Sequence, residues 1–317
     1  MEVVEVRIPT PFQPGHVNGY LFAHSPVTIV DPGPARGQTV PAWTRALEAK
    51  GLRIEQVEQI VLTHQHWDHL GAAESMRVLS GASVLGAPGV RSYTTGFAAA
   101  IGAEMAVYIE LMRLHGMPES AIEAALEVFA ALPGFVGQTD LDRVLEDGAE
   151  LRAGRHILTA LARPGHSPTD TILLDRPSGV AIVGDHLLAD YPPNFLPPVP
   201  SSEPLDSGLR MLTDSLRRTA ELDLARALPG HGEPVEDPRA TIDRWLGFYR
   251  RRDERMLEVL AREPLTAWQL VSALDPQIRR DDGLFKLVGV LGPLEALEAE
   301  GRVVRTQHGG PPQFAPS

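Results

Sequence analysis

Four side chains with metal-ligating chemistry fall within six residues of this sequence, in Thr63-His64-Gln65-His66-Trp67-Asp68-His69-Leu70-Gly71. They follow the apolar run Glu58 to Thr63, which has strand character, so a loop past a strand end can fold them around an ion. Three imidazoles and a carboxylate this close would repel or waste hydrogen bonds without a cation. Three further segments repeat the placement: Pro164-Gly165-His166-Ser167, Gly184-Asp185-His186 and Pro229-Gly230-His231-Gly232. Each puts a ligand-type side chain in a turn just beyond a candidate strand. With His186 left aside, the segments supply five histidines and two aspartates, enough for two metal ions.

The chemistry expected of such a set is hydrolysis. Two divalent ions roughly 3.5–4 Å apart can share a hydroxide whose pKa is lowered to about 7, a nucleophile for a carbonyl carbon. Asp68 could also relay a proton, and Asp185 belongs to the same catalytic set. The chain has no cysteine, so all ligation is through nitrogen and oxygen; that suits zinc, with iron and manganese accepting the same groups. Asp31 and Thr63 are placed to orient the ligand imidazoles. His16, His24, His115, His156 and His308 stand outside the ligand segments and read as ordinary residues, while His186 could either line the site or be ordinary.

The elements that must carry these segments alternate between strand and helix. Val3 to Ile8, Gly19 to His24 and Pro26 to Asp31 are β-rich and bounded by turn residues. A helix is expected over Ala42 to Lys50, stopped by Gly51, and a strand over Ser83 to Ala87. Between about residues 97 and 132, Phe97, Ile101, Met105, Tyr108 and Met112 recur at helical spacing and a second run follows from Ile122, which reads as an inserted helical hairpin. Met105, Tyr108 and Met112 are expected to pack this hairpin, the alternative being a lid over substrate. Strands return at His156 to Leu161, Thr171 to Asp175 and Gly179 to Val183. The stretch Tyr191 to Pro200 carries five prolines and reads as an extended loop, from which Tyr191 and Phe195 could reach a pocket wall. Helices are expected from Leu205 to Glu221 and from Ile242 to Leu260. After Pro264 come a capping box at Thr266-Ala267-Trp268-Gln269, a helix from Leu284 to Glu300 broken at Gly292-Pro293, and a strand at Arg302 to Arg305.

The ordered motifs from Asp31 to His231, with Asn18-Gly19-Tyr20-Leu21 and Asp31-Pro32-Gly33 before them, resemble the metallo-β-lactamase superfamily. The resemblance implies an α+β fold: a four-layer αβ/βα sandwich with metals at one edge. It also implies that His64, His66 and His166 bind a first metal, that Asp68, His69 and His231 bind a second, and that Asp185 bridges them. With both Asp68 and His69 present, the sequence is similar to the binuclear glyoxalase-II-like hydrolases. The tail around Leu294 to Val303 resembles the winged-helix appendage of the β-lactamase-like-protein-2 branch. The implied organisation is a catalytic domain over residues 1–261 and a winged-helix-like domain over residues 262–317. One departure stands out: relatives often carry a histidine soon after the third motif, where this chain has Ser167-Pro168-Thr169-Asp170-Thr171.

Composition narrows the substrate. The chain of 317 residues carries a formal net charge of -12. Residues 251–317 hold nine basic and ten acidic residues, so the tail is nearly neutral and the first 250 residues carry the excess. A nucleic-acid binder is expected to show a basic face, which this balance disfavours. The leading expectation is therefore an ester, thioester or lactone hydrolase acting on a small-molecule acyl substrate, the apolar acyl part held by the helical insertion. An endoribonuclease of the same fold is the alternative. No apolar run reaches the roughly 18–20 residues that cross a bilayer, and no leader pattern opens the chain, so a cytoplasmic enzyme without a membrane partner is expected. The tail is expected to pack on the catalytic domain or on a second copy in a homodimer.

Overall fold

Strict alternation of apolar residues between two faces explains how the chain stacks two sheets. The computed structural model describes residues 1–11, 15–195, 206–279, 282–307 and 309–317. The expectations at Leu196 to Pro200, Leu205 and His308 lie outside the described residues. The first sheet runs in chain order: β1 (Val4–Pro9), β2 (His16–Phe22), β3 (Thr28–Val30), β4 (Gln59–Val61), β5 (Ser83–Gly86) and β6 (Arg143–Val144). The second contains β7 (Glu150–Ala153), β8 (His156–Ala162), β9 (Thr171–Asp175), β10 (Val180–Gly184) and β11 (Arg226–Pro229), in the order β11-β10-β9-β8-β7. Tyr20, Phe22, Val30 and Val61 of the first sheet pack against Leu158, Leu173, Ile182 and Leu228 of the second. Their neighbours Leu21, Ile29 and Ile60 point the other way, onto Trp43 and Leu47 of α1 (Thr39–Glu48) and beside Met76. A period of two thus builds two apolar layers from one sheet.

The expected αβ/βα sandwich is the observed one. Beyond α1, the helices are α2 (Trp67–Leu70), α3 (Ala73–Ser80), α4 (Val90–Leu114), α5 (Glu119–Ala131), α6 (Asp206–Ala220), α7 (Pro238–Leu260), α8 (Ala267–Leu274) and α9 (Gly283–Ala299). Leu212 and Leu216 of α6 and Ile242 and Trp245 of α7 cover the outer face of the second sheet, where they meet Leu174, Ala181 and Val183. Strand direction then places the site. β3, β4 and β5 are parallel, β10 and β11 are parallel, and β8 shares their sense because it and β10 are both antiparallel to β9. The C-terminal ends of β3, β4, β8, β10 and β11 all deliver their following turns to one edge of the sandwich.

Several elements differ from expectation. β2 starts at His16, three residues early, because Pro9 pairs with His16 in the register with β1. The short strands β6 and β7 are too brief to show a periodicity. A short helical stretch from Val90 precedes the insertion: the backbone leaves helical geometry at Gly96, with φ of -160° and ψ of 50°, so α4 is two helices joined at a kink, the second starting at Phe97 as expected. The break expected at Gly292-Pro293 is absent. α9 continues through Pro293 because it is apolar on every side, burying Leu284, Leu287, Val288, Leu291, Leu294 and Leu297. Burial of that many side chains, at about 1.5–3 kcal/mol each, outweighs the ~3 kcal/mol cost of an interior proline.

That all-round burial follows from what surrounds α9. Met105, Tyr108 and Met112 of α4 and Ile122 of α5 belong to the same continuous apolar cluster as α8 and α9, so this stripe is helix packing, as expected. After α7 come β12 (Leu265–Thr266), α8, α9, β13 (Val303–Thr306) and β14 (Gln313–Pro316), with sheet order β12-β14-β13. Thr266 and Gln269 form the expected capping box, each side chain accepting from the other's backbone N–H. His115, at the end of α4, stacks on Phe314 of β14 with ring centroids 6.2 Å apart. No helix among the described residues is long and apolar enough to cross a membrane.

Candidate metal centre

The segment after β4 is not a plain loop: a one-turn helix, α2, follows directly on its N-cap His66, whose carbonyl accepts from the N–H of His69 and of Leu70, both at 3.0 Å. This turn swings Asp68 and His69 back toward His64. The other turns are fastened to it through backbone. The Thr171 N–H donates to the Thr63 carbonyl at 2.9 Å, joining the His166 loop to the His64 loop. Asn18 binds the His231 turn three times: its N–H donates to Gly230 at 2.7 Å, and its Nδ2 donates to Pro229 at 3.1 Å and to Gly232 at 2.9 Å. Tyr20 Oη donates to the Pro229 carbonyl at 2.6 Å. Gly230 is required by proximity: a Cβ there would collide with Asp185 Oδ1 and lie 2.5 Å from His69 Cε1.

The structure brings all seven residues of the sequence-derived set together. His66 Nδ1 lies 3.0 Å from His64 Nε2 and 2.9 Å from His166 Nε2. The opposite ring nitrogens of His64 and His166 are engaged. His64 Nδ1–H donates to Thr63 Oγ1 at 3.0 Å, and His166 Nδ1–H donates to the Asn194 carbonyl at 3.0 Å. Their lone pairs therefore both face His66 Nδ1, which can carry at most one proton, so at least one acceptor in this group is left without a donor. Burial pushes His66 down to about 3, with neighbouring His166 acting the same way, and burial lowers His64 too. A divalent cation satisfies three such nitrogens at once, and the donor set fits one.

The second group has a different balance. Asp68 Oδ2 is 3.3 Å from His231 Nε2, and His69 lies beside them in a group of three able to hold an ion. His231 Nδ1–H donates to the His16 carbonyl at 2.6 Å, turning Nε2 inward. His69 Nδ1–H donates to Asp31 Oδ2 at 2.9 Å, leaving a buried Nε2 with no hydrogen-bond partner among the described residues. Burial lowers the His69 pKa, but Asp185, Asp68 and Asp31 outweigh it and raise the imidazole to about 10. Three acids there call for positive charge. Asp185 lies between the groups: Oδ1 is 3.5 Å from His69 Nε2, and Oδ2 is 3.5 Å from His166 Nε2 and 3.4 Å from His231 Nε2.

Both supporting residues expected from position are in place. Asp31 accepts from Thr63 N at 2.8 Å, Thr63 Oγ1 at 2.7 Å and His69 Nδ1, so one carboxylate orients His69 directly and His64 through Thr63. Asp170, at the departure from the family pattern, accepts from Ser167 N at 2.8 Å and Ser167 Oγ at 2.6 Å, bracing the turn that carries His166. Burial pushes that carboxyl up to about 6 against the opposing pull of His166 and Ser167. His186 does not face the cluster; its Nε2 meets Thr219 Oγ1 of α6 at 2.8 Å. Of the ordinary histidines, His156 pairs with Asp175 at 3.2 Å, and His16 contributes only its carbonyl.

A cavity of about 790 Å³ opens onto His66, Asp68, His166, Asp185 and His231. Its far wall comes from the insertion and the tail, through Phe97, Ile101, Phe129 and Phe285. Tyr191 lines it as expected. Phe195 does not; it is buried, with the Arg252 guanidinium 5.6 Å from its ring.

With this geometry in view, comparison with known proteins is decisive for the family. The sequence pattern of the Metallo-beta-lactamase superfamily matches residues 13–231. The chain belongs to the metallo-β-lactamase superfamily. It is 28% identical over 316 residues to "Probable metallo-hydrolase YqjP" of Bacillus subtilis, covering 99% of this chain and 97% of that one. Among solved structures of the superfamily, it is similar to metallo-beta-lactamase family protein TTHA1429 from Thermus thermophilus. That match has a TM-score of 0.83 and 28% identity, over 99% of this chain and 98% of that one. A beta-lactamase domain protein from Burkholderia ambifaria shares the fold at a TM-score of 0.83 and 24% identity, over 99% of this chain and 92% of that one. Such coverage extends the likeness beyond the sandwich, through the insertion to β14.

Proposed function

We propose that His64, His66 and His166 hold one divalent ion, that Asp68, His69 and His231 hold a second, that Asp185 reaches both, and that the protein hydrolyses an ester, thioester or lactone. The observation that carries this reading is Asp185, placed within 3.5 Å of ring nitrogens from both groups. Bound there, two divalent ions supply ionised water at neutral pH and an electrophile for a carbonyl oxygen. Zinc is the first assignment for this nitrogen and oxygen set, ahead of iron and manganese.

The chain's own groups do the rest. Asp31 and the carbonyls of His16 and Asn194 hold three imidazoles in the tautomer that turns Nε2 inward. Asp68, which lines the cavity, is the carboxylate placed to take and return a proton near the substrate. The apolar wall from the insertion receives an acyl group and excludes water around it. A phosphodiester substrate fits less well: among the arginines of the C-terminal hairpin, Arg302 is bound to Glu254 at 3.1 Å and Arg305 to Glu298, so neither offers a free charge to a phosphate backbone. The order α7, β12, α8, α9, β13, β14 supports a winged-helix reading of the tail, here serving as packing for the insertion.

The test is a screen of the zinc-loaded protein against acyl thioesters, lactones, phosphodiesters and single-stranded RNA, with Asp185→Ala as the control. Acyl turnover that disappears together with metal in the variant is expected. Turnover of phosphodiesters alone, or full activity in a variant that has lost its metal, would overturn the proposal.

A further inference from the structure

Two acids that the proposed chemistry leaves unused line the cavity, Glu104 and Asp282, and Asp282 is paired with Arg279. Glu104 of α4 lines the cavity together with the apolar residues Phe97, Ile101 and Phe129. Tyr93 Oη donates a hydrogen bond to Glu104 Oε1. Among the described residues no arginine or lysine pairs with it, whereas Arg279, which also lines the cavity, lies 3.9 Å from Asp282. Burial raises the Glu104 carboxyl, and the bond from Tyr93 only partly opposes this. A carboxyl in an apolar wall with a single hydroxyl partner costs stability, so its place there needs a ligand-side reason.

We propose that Glu104, steadied by Tyr93, is a specificity-determining residue that accepts a hydrogen bond from the far end of the substrate's acyl group. The inference rests on the acyl-hydrolase reading and names its substrate class: aromatic or bulky apolar acyl groups ending in a hydroxyl or an amine. The aromatic wall takes the body of such a group. The free Glu104 oxygen takes its donor, and a cavity of about 790 Å³ suits a ligand of this size.

The probes are thioesters of phenylacetate, para-hydroxyphenylacetate and para-(aminomethyl)phenylacetate with the zinc-loaded enzyme, together with the corresponding amides binding to metal-free protein by calorimetry. In the wild type, kcat/KM for the donor-bearing thioesters should exceed that for phenylacetyl by about tenfold or more. Glu104→Leu should erase the difference while leaving phenylacetyl turnover in place. Glu104→Gln keeps the bond from Tyr93 at its amide oxygen and turns an NH2 toward the ligand, from which a hydroxyl can accept but an ammonium cannot, so it should preserve the hydroxyl preference and lose the ammonium preference. A preference confined to one donor class identifies the source of the donor and upholds the proposal. Equal turnover and equal binding of all three acyl groups, or a preference that survives Glu104→Leu, would overturn it. Failure of the hydrolase reading is distinguishable: no thioester is cleaved, yet the amides still bind with a Glu104-dependent preference.

Discussion

Replacing Asp31 with asparagine tests the ligand geometry without touching a proposed ligand. The side chain is 1% exposed and accepts three hydrogen bonds between 2.7 and 2.9 Å. Asparagine keeps an acceptor for Thr63 N, but it turns an NH2 group toward the Thr63 hydroxyl and His69 Nδ1–H, both of which are donors. His69 escapes the clash by moving its proton to Nε2, the atom that would bind metal. Thr63, freed from Asp31, can donate to His64 Nδ1 and drive that proton to Nε2 as well. One substitution therefore unsettles two imidazoles. Loss of such an orienting partner lowers metal affinity about 10- to 100-fold, or about 1.4–2.8 kcal/mol. Each charge-assisted bond removed also costs folding stability of about 1.5–3 kcal/mol. Zinc titration against a competing chelator measures the first effect, and urea unfolding of the metal-free protein verifies that the variant is folded. A folded Asp31→Asn protein that binds zinc within twofold of wild type would refute the reasoning.

Three further outcomes are expected. Gly230→Ala puts a methyl against Asp185 Oδ1 and His69 Cε1, and should reduce bound metal at least tenfold while the far-ultraviolet circular dichroism is retained; full metal content would contradict the packing argument. His115 is buried, and burial, aided by Arg305, lowers its pKa from 6.5 to about 4. Its folded pKa lies below the unfolded one, so its contribution is present above pH 6.5 and is lost as pH falls toward 4. Between pH 7 and 5 the wild type should lose about 2 kcal/mol more than His115→Gln in urea unfolding, and parallel pH profiles would be the contrary result. Thr266→Ala removes the acceptor for Gln269 N and should cost about 1 kcal/mol without changing metal affinity, as read from melting and chelator titration.

The ligand cluster was legible because its information is local. His64, His66, Asp68 and His69 are near neighbours in sequence, and turns after strands are where a sheet edge gathers side chains. Asp31 and Thr63 were likewise visible from their positions beside the same strand ends. The supporting contacts through backbone were not: the His16 and Asn194 carbonyls that orient His231 and His166 have no side-chain signature. Asp170 looked like a missing histidine and proves to be a brace for the His166 turn. His186 follows Asp185 directly, but the chain direction at the end of β10 carries its side chain to Thr219 instead.

What the sequence by itself determined is the donor chemistry, the alternation that builds two sheets, and the helical character of the insertion and tail. Those are properties of residue type and short-range spacing. Tertiary structure alone decided that the insertion and α9 share one apolar cluster, that a proline therefore sits inside a continuous helix, and that Glu104 faces the ligand cavity. Each depends on which surfaces meet across long stretches of chain. Burial energy summed over many side chains there exceeds any local preference.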